Sequence, residues 1–257
     1  MIHAGWNLLL AGARDSQAFA AVALLVSVIA GAPFAALYWR FDSDVWPYLL
    51  AGSLLQLVYF ALLAYAYTHA EMSVVYPVAR GLAPVLVLVG AVVLTDASTT
   101  PRQVGGVLLV ACGILLVRGV KRGRGAWLAV VIAAVIATYT VVDKHGVVHA
   151  SPVAYLEVMC VFTGVAYAAA IVAMRGMGTL RAELSLRSVA AGVGTFAAYV
   201  SVLGALQLAS AASVAAVRES GVLVATALAA VFLREQVTRW RAGGALLVVA
   251  GIVLLAL

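Results

Sequence analysis

Arg80, Arg218 and Glu219 stand where an apolar chain has least use for charge. Arg80 lies in SVVYPVARGLAPVLVLVG, and Arg218 and Glu219 lie side by side in SVAAVRESGVLVATALAAVF. An ionisable side chain at the centre of a bilayer costs at least ~2.5–3.5 kcal/mol on insertion scales, so each one kept there needs a partner or a task. A guanidinium facing a cavity can hold an anionic group of a solute; it can equally lock two helices through an ion pair. Adjacent residues on a helix point about 100° apart, so Arg218 and Glu219 cannot both face one partner. The expected contact is Glu219 with Arg80, with Arg218 or Glu219 also meeting solute or a coupling proton. Pro77 and Pro84 flank Arg80 and predict a bend in its span.

Further polar residues could line a solute path. Tyr139 and Asp143 share a helix face at i and i+4, with Lys144 beside them. They read either as a gate at the mouth of a cavity or as caps where the span meets the interface. Glu157 reads as a proton site or as a solvated acid near the membrane boundary. Trp6 and Asn7 offer a stacking face and a donor, or an ordinary interfacial anchor. Tyr59, Tyr76, Tyr199 and Gln207 are polar enough to line a pocket, although tyrosine in such helices also serves packing. No HExxH, GxSxG, P-loop or paired acidic motif occurs, so no catalytic residue, metal ligand or cofactor is expected. Gly192, Gly194 and Ala197 match GxGxxA only by chance, because no strand precedes them.

The elements that position these residues follow from composition. Of 257 residues 65% are hydrophobic and 10% charged, and the mean hydropathy is +1.11. That leaves too little polar surface to face water. Apolar runs long enough to cross a ~30 Å hydrocarbon core as helices are expected near 18–39, 46–67, 74–94, 104–117, 126–142, 152–174, 189–209, 211–233 and 242–257. A stub at 2–13 is too short to span and reads as the second half of a span that starts upstream. It lacks the basic n-region and long apolar stretch of a signal peptide. Cys112 and Cys160 lie inside apolar runs and read as small packing residues. The net charge of +6 sits mainly in the connections, which points to anionic lipid rather than nucleic acid as the basic residues' partner.

The chain also repeats itself. VGGVLLVACGILLV at 104–117 returns as AGGALLVVAGIVLL at 242–255, with Gly105, Gly106 and Gly113 in step with Gly243, Gly244 and Gly251. LTDASTTPRQ and LREQVTRWR precede the two copies, and Tyr59 answers Tyr199. These glycines permit close helix approach and are read as packing. The repeat unit is therefore five spans, and an odd number of spans per repeat forces the second copy to enter the membrane inverted. The expected division is a first repeat at 1–118, a basic linker at 119–125 and a second repeat at 126–257.

With HAGWNLLL at 3–10, ATYTVVDKHG at 137–146 and the loops TDASTTPRQVGG and REQVTRWRAGG, the chain resembles the EamA-type transporters of the drug/metabolite transporter superfamily. The resemblance implies an all-α membrane protein of about ten spans in two inverted five-helix repeats. It also implies a central cavity and passage of a small metabolite. The leading expectation is a secondary carrier of an amino acid or organic anion, working by alternating access in a bacterial-type inner membrane as a monomer or homodimer. A membrane-embedded enzyme and a passive channel are the alternatives. The basic residues Arg14, Arg118, Lys121, Arg122, Arg124, Arg175, Arg181, Arg187, Arg234, Arg239 and Arg241 fall on one face, against Arg40, Arg102 and Lys144 on the other. The charge rule makes the first face cytoplasmic and puts both chain ends outside, whereas the resemblance implies cytoplasmic ends.

Overall fold

A computed structural model describes residues 13–70, 72–95, 98–118, 125–221, 223 and 238–256. Trp6 and Asn7 lie outside the described residues. Among the described residues the chain is helical between short loops, and its one bridge pairs Phe41 with Ala150. In chain order the helices are α1 (Ser16–Leu37), α2 (Trp46–His69), α3 (Met72–Thr95), α4 (Pro101–Arg118), α5 (Ala126–His149) and α6 (Pro152–Arg175). They continue with α7 (Met177–Glu183), α8 (Leu186–Leu208), α9 (Ala211–Arg218) and α10 (Arg239–Ala256). Six stretches among the described residues are long and apolar enough to cross a membrane, and Val78–Val93 and Pro101–Val117 are shorter apolar helices.

Polar residues between the apolar runs start these helices by satisfying their first amides. Asp15 accepts from the Gln17 and Ala18 amides at 3.0 and 3.2 Å. Thr100 and Gln103 cap α4 reciprocally, each side chain accepting from the other's amide at 3.2 Å. Ser151 caps α6 ahead of Pro152, and Ser210 caps α9. Gly176, at φ +84°, closes α6 in a backbone region that a side chain would strain. Burial pushes the Asp15 carboxyl up, but the Ala18 amide, the Arg175 guanidinium and the Gln17 amide together hold it below its ordinary value.

The chain forms two compact units, Met1–Leu57 with Val142–Leu208 and Val58–Val141 with Ala209–Leu257. Both draw on the two sequence halves; two of the three divisions fall inside α2 and α5, and the third lies between α8 and α9. In the first unit α1 packs on α6, α7 and α8. Small residues carry that contact: Ala18 and Ala21 are buried against Ala168, Ile171 and Leu180. In the second unit α4 packs on α10 and α3, and α9 lies against both α3 and α4.

Two of these pairings carry the repeat. A Cβ on Gly106 would lie 3.0 Å from the Gly251 carbonyl, and one on Gly113 would lie 2.6 Å from the Gly244 carbonyl. The contact thus pairs 106 with 251 and 113 with 244, so α4 and its copy α10 run in opposite directions. In the first unit Gly164 meets Leu24 while Gly31 meets Glu157, so α1 and α6 are antiparallel as well. Close packing of equivalent helices in opposite senses is what an inverted two-repeat architecture requires.

The ninth expected run, 211–233, does not continue as one described helix. Its α-helix ends at Arg218, and the Glu219 and Ser220 amides donate three residues back, to Ala216 and Val217 carbonyls at 3.1 and 2.9 Å. The tighter bonding breaks the helix at the charged pair. The helix assignment of α3, by contrast, is continuous through Pro77 and Pro84.

Candidate functional site

The second unit brings three of the singled-out residues together. Arg80 Nη1 donates to Glu219 Oε1 at 2.8 Å, with both side chains buried. Arg218 Nε lies 3.7 Å from the same oxygen, also buried. Arg80 is brought there by α3, which approaches α4 closely at the next residue: a Cβ on Gly81 would sit 2.9 Å from the Leu115 side chain. Glu219 is brought there by the broken end of α9. A carboxylate between two guanidinium groups has its charge met at short range, and removing one partner of such a pair exposes the others to the full desolvation cost. In the same unit Tyr59 sits edge-on to the buried Tyr139, ring centres 6.2 Å apart. The side chain of Tyr76 is outside what the structure describes.

The first unit holds a second buried polar centre, built around Asp143. Its Oδ1 accepts from the Tyr155 hydroxyl at 2.9 Å and its Oδ2 from the Tyr199 hydroxyl at 2.7 Å. Gln56 Nε2 in turn donates to the Tyr199 oxygen at 3.0 Å, so α2, α5, α6 and α8 are tied through one network. Glycines make room for it. A Cβ on Gly52 would lie 3.1 Å from Asp143 Oδ1, and one on Gly146 would lie 2.5 Å from the Tyr155 ring. Asp143 is 1% exposed and well inside α5, which runs on to His149, so it does not cap the helix end.

Lys144 and Gln207 are engaged elsewhere. Lys144 Nζ donates to the Leu206 carbonyl in the last turn of α8, and Gln207 Nε2 donates to the Val147 carbonyl in the last turn of α5 at 2.7 Å. Each helix end is thus closed by a side chain of the other, where carbonyls lack helical partners and a cation is favoured. Glu157 is buried rather than solvated, and its Oε2 lies 2.3 Å from where a Cβ on Gly31 would stand. Sequence reasoning missed Gln56, Tyr155, Gly31 and Gly52. It also missed a trio at one surface, where ligand atoms of Asp42, Asp44 and His149 lie within 4.8 Å of one another. Both acids there are exposed and Asp42 caps the short turn Ser43–Val45, a placement that needs no ion.

No curated protein matches the chain. A solved crystal structure is similar in fold at 19% identity, with a TM-score of 0.78 over 98% of this chain and 92% of its own. The profile of the EamA-like transporter family matches twice, at residues 7–119 and 123–257. With nearly the whole chain matched by the two copies of the profile, six helices long and apolar enough to cross a membrane among the described residues, and equivalent helices packed in opposite senses, the chain belongs to the EamA-like transporter family.

Proposed function

We propose that this multi-pass membrane protein is a secondary carrier, a permease or exporter, of a small metabolite such as an amino acid or organic anion in a bacterial-type inner membrane. The two repeats are taken as 1–118 and 126–257, joined by a basic linker, and the protein works by alternating access as a monomer or homodimer. The observation that carries the reading is the buried Arg80, Arg218 and Glu219 cluster at an interrupted helix. Broken helices at membrane depth are tolerated where they are buried in protein or line a cavity, and their free ends and polar side chains serve binding there. Two guanidinium groups on one carboxylate form a centre that a solute carboxylate or phosphate can enter by exchanging for Glu219. In this scheme Arg80, Arg218 and Glu219 bind solute, Tyr59, Tyr76, Tyr139 and Tyr199 line its path together with Trp6 and Asn7, and Asp143 controls access. Lys144 and Gln207 hold α5 and α8 in register.

The test is counterflow in liposomes containing the purified full-length protein and loaded in turn with unlabelled amino acids and organic anions. Saturable accumulation of the matching labelled solute is expected, and it should fall sharply in Arg80→Gln and Arg218→Gln. Leak that grows linearly with concentration would indicate a channel, and chemical conversion of lipid without flux would indicate an enzyme.

A further inference from the structure

Four acidic side chains are buried among the described residues: Asp143, Glu157, Glu183 and Glu219. Three of them have donors. Asp143 takes two tyrosine hydroxyls, Glu219 takes Arg80, and Glu183 accepts from the Asp15 amide at 2.9 Å. Glu157 differs, because its Oε2 is buried with no hydrogen-bond partner among the described residues. Glu157 as a residue is 7% exposed, and its Oε2 fills the gap left by Gly31 on α1, beside the Phe196 ring on α8. An anion left this way would cost more than any of its buried counterparts, and such groups are retained at functional positions rather than structural ones.

We infer that Glu157 is a proton-binding site, loaded and unloaded during the transport cycle. Loading adds a proton to one carboxyl oxygen, and release returns a carboxylate; no other bond changes. The groups around it leave the proton to Glu157. On α6 itself stand Tyr155, bonded to Asp143, then Cys160, Tyr167 and Arg175, the last paired with Asp15. Helix α1 carries no ionisable side chain. On α8, Tyr199 is turned to Asp143 and Arg187 is exposed; on α7, Glu183 is bonded to Asp15 and Arg181 is exposed. From α5 come Asp143, Lys144 on the Leu206 carbonyl, and His145 and His149, both stacked on Tyr48 of α2. None of these hydrogen-bonds to Glu157 among the described residues.

The proposal rests on the transporter reading for its role in a cycle, but the site itself is read without any solute. Infrared difference spectra of the full-length protein in liposomes, taken between acid and alkaline buffers, should contain the carbonyl stretch of a buried protonated carboxyl. That band should vanish in Glu157→Gln and shift in frequency in Gly31→Ala, which crowds the carboxyl without removing it. In the counterflow assay with amino acids as probes, Glu157→Gln should keep exchange at equal pH and lose the response to a pH gradient. A wild type without such a band overturns the inference. So does a band unchanged in both variants, or a Glu157→Gln carrier still driven by the gradient. If the wild type exchanges no solute, the transport reading fails, and the infrared band then decides the proton site alone.

Discussion

Glu219 Oε1 is the atom on which the charged cluster of the second unit turns, since Arg80 and Arg218 both approach it. Removing either charge of a buried pair leaves the other unsolvated, typically a loss of about 3–5 kcal/mol, whereas removing both leaves a neutral gap. Arg80→Gln and Glu219→Gln should therefore each lower the unfolding free energy in detergent. The double variant should cost less than the sum of the two, with a coupling of about 0.5–3 kcal/mol. Additive losses in denaturant titrations would count against the pair. This contact was legible in the sequence, because a charge inside an apolar run is conspicuous and the repeat brings positions 80 and 219 nearly level. The Asp143 network was not. Asp143, Tyr155, Tyr199 and Gln56 come from four helices, and a tyrosine in an apolar run gives no sign of whether it packs or donates. Lys144 and Gln207 showed the opposite difficulty, since they are polar and well placed for a pathway but are spent on helix-end carbonyls.

Among the elements, α4 and α10 show how a glycine pattern becomes an architecture. The same GGxLLVxxGI pattern stands on both helices, and the structure sets Gly113, Gly244 and Gly251 closest to the other helix's backbone, whereas Gly105 and Gly106 first meet the Leu254 and Leu255 side chains. A methyl group at Gly113 would stand 2.6 Å from the Gly244 carbonyl, so one backbone must move. Gly243, one residue away in sequence from Gly244, has nothing within 4 Å of the corresponding position. Gly113→Ala should therefore destabilise by about 1–3 kcal/mol as overpacking does. Gly243→Ala should be neutral or gain up to about 1 kcal/mol of helix propensity. Thermal unfolding in detergent separates the two, and equal effects would show that the close approach is not what the glycines provide. The repeat was legible because its glycines recur in register. The end of α9 at Arg218 was harder to read: Ser220 and Gly221 follow the charged pair as a turn signal, but an isolated glycine in an apolar run is also compatible with an unbroken helix, and α3 remains one helix through two prolines.

For the whole molecule the open quantity is which face meets the cytoplasm, and the structure sharpens the charge argument. On the sparsely basic face, two of the three cations belong to the first unit, and there Arg40 Nη2 donates to the Ala150 carbonyl at 3.1 Å and Lys144 to the Leu206 carbonyl, so these two are already committed to helix-end or loop backbone. In the richly basic connection of the same unit, Arg181 and Arg187 are exposed, and Arg175 is drawn into the Asp15 cap. An excess of Lys and Arg in short loops orients a membrane protein, so the Arg175 to Arg187 connection should lie in the cytoplasm. The chain's C-terminus should then lie outside. Two exposed positions in the first unit report this directly: Ser43 after α1 and Gly178 in α7. In a background with Cys112→Ser and Cys160→Ser, a membrane-impermeant maleimide applied to intact cells should label Ser43→Cys, and should reach Gly178→Cys only after the membrane is opened. The reverse pattern would place the arginine-rich face outside, and the repeat architecture, not loop charge, would then be what sets the orientation.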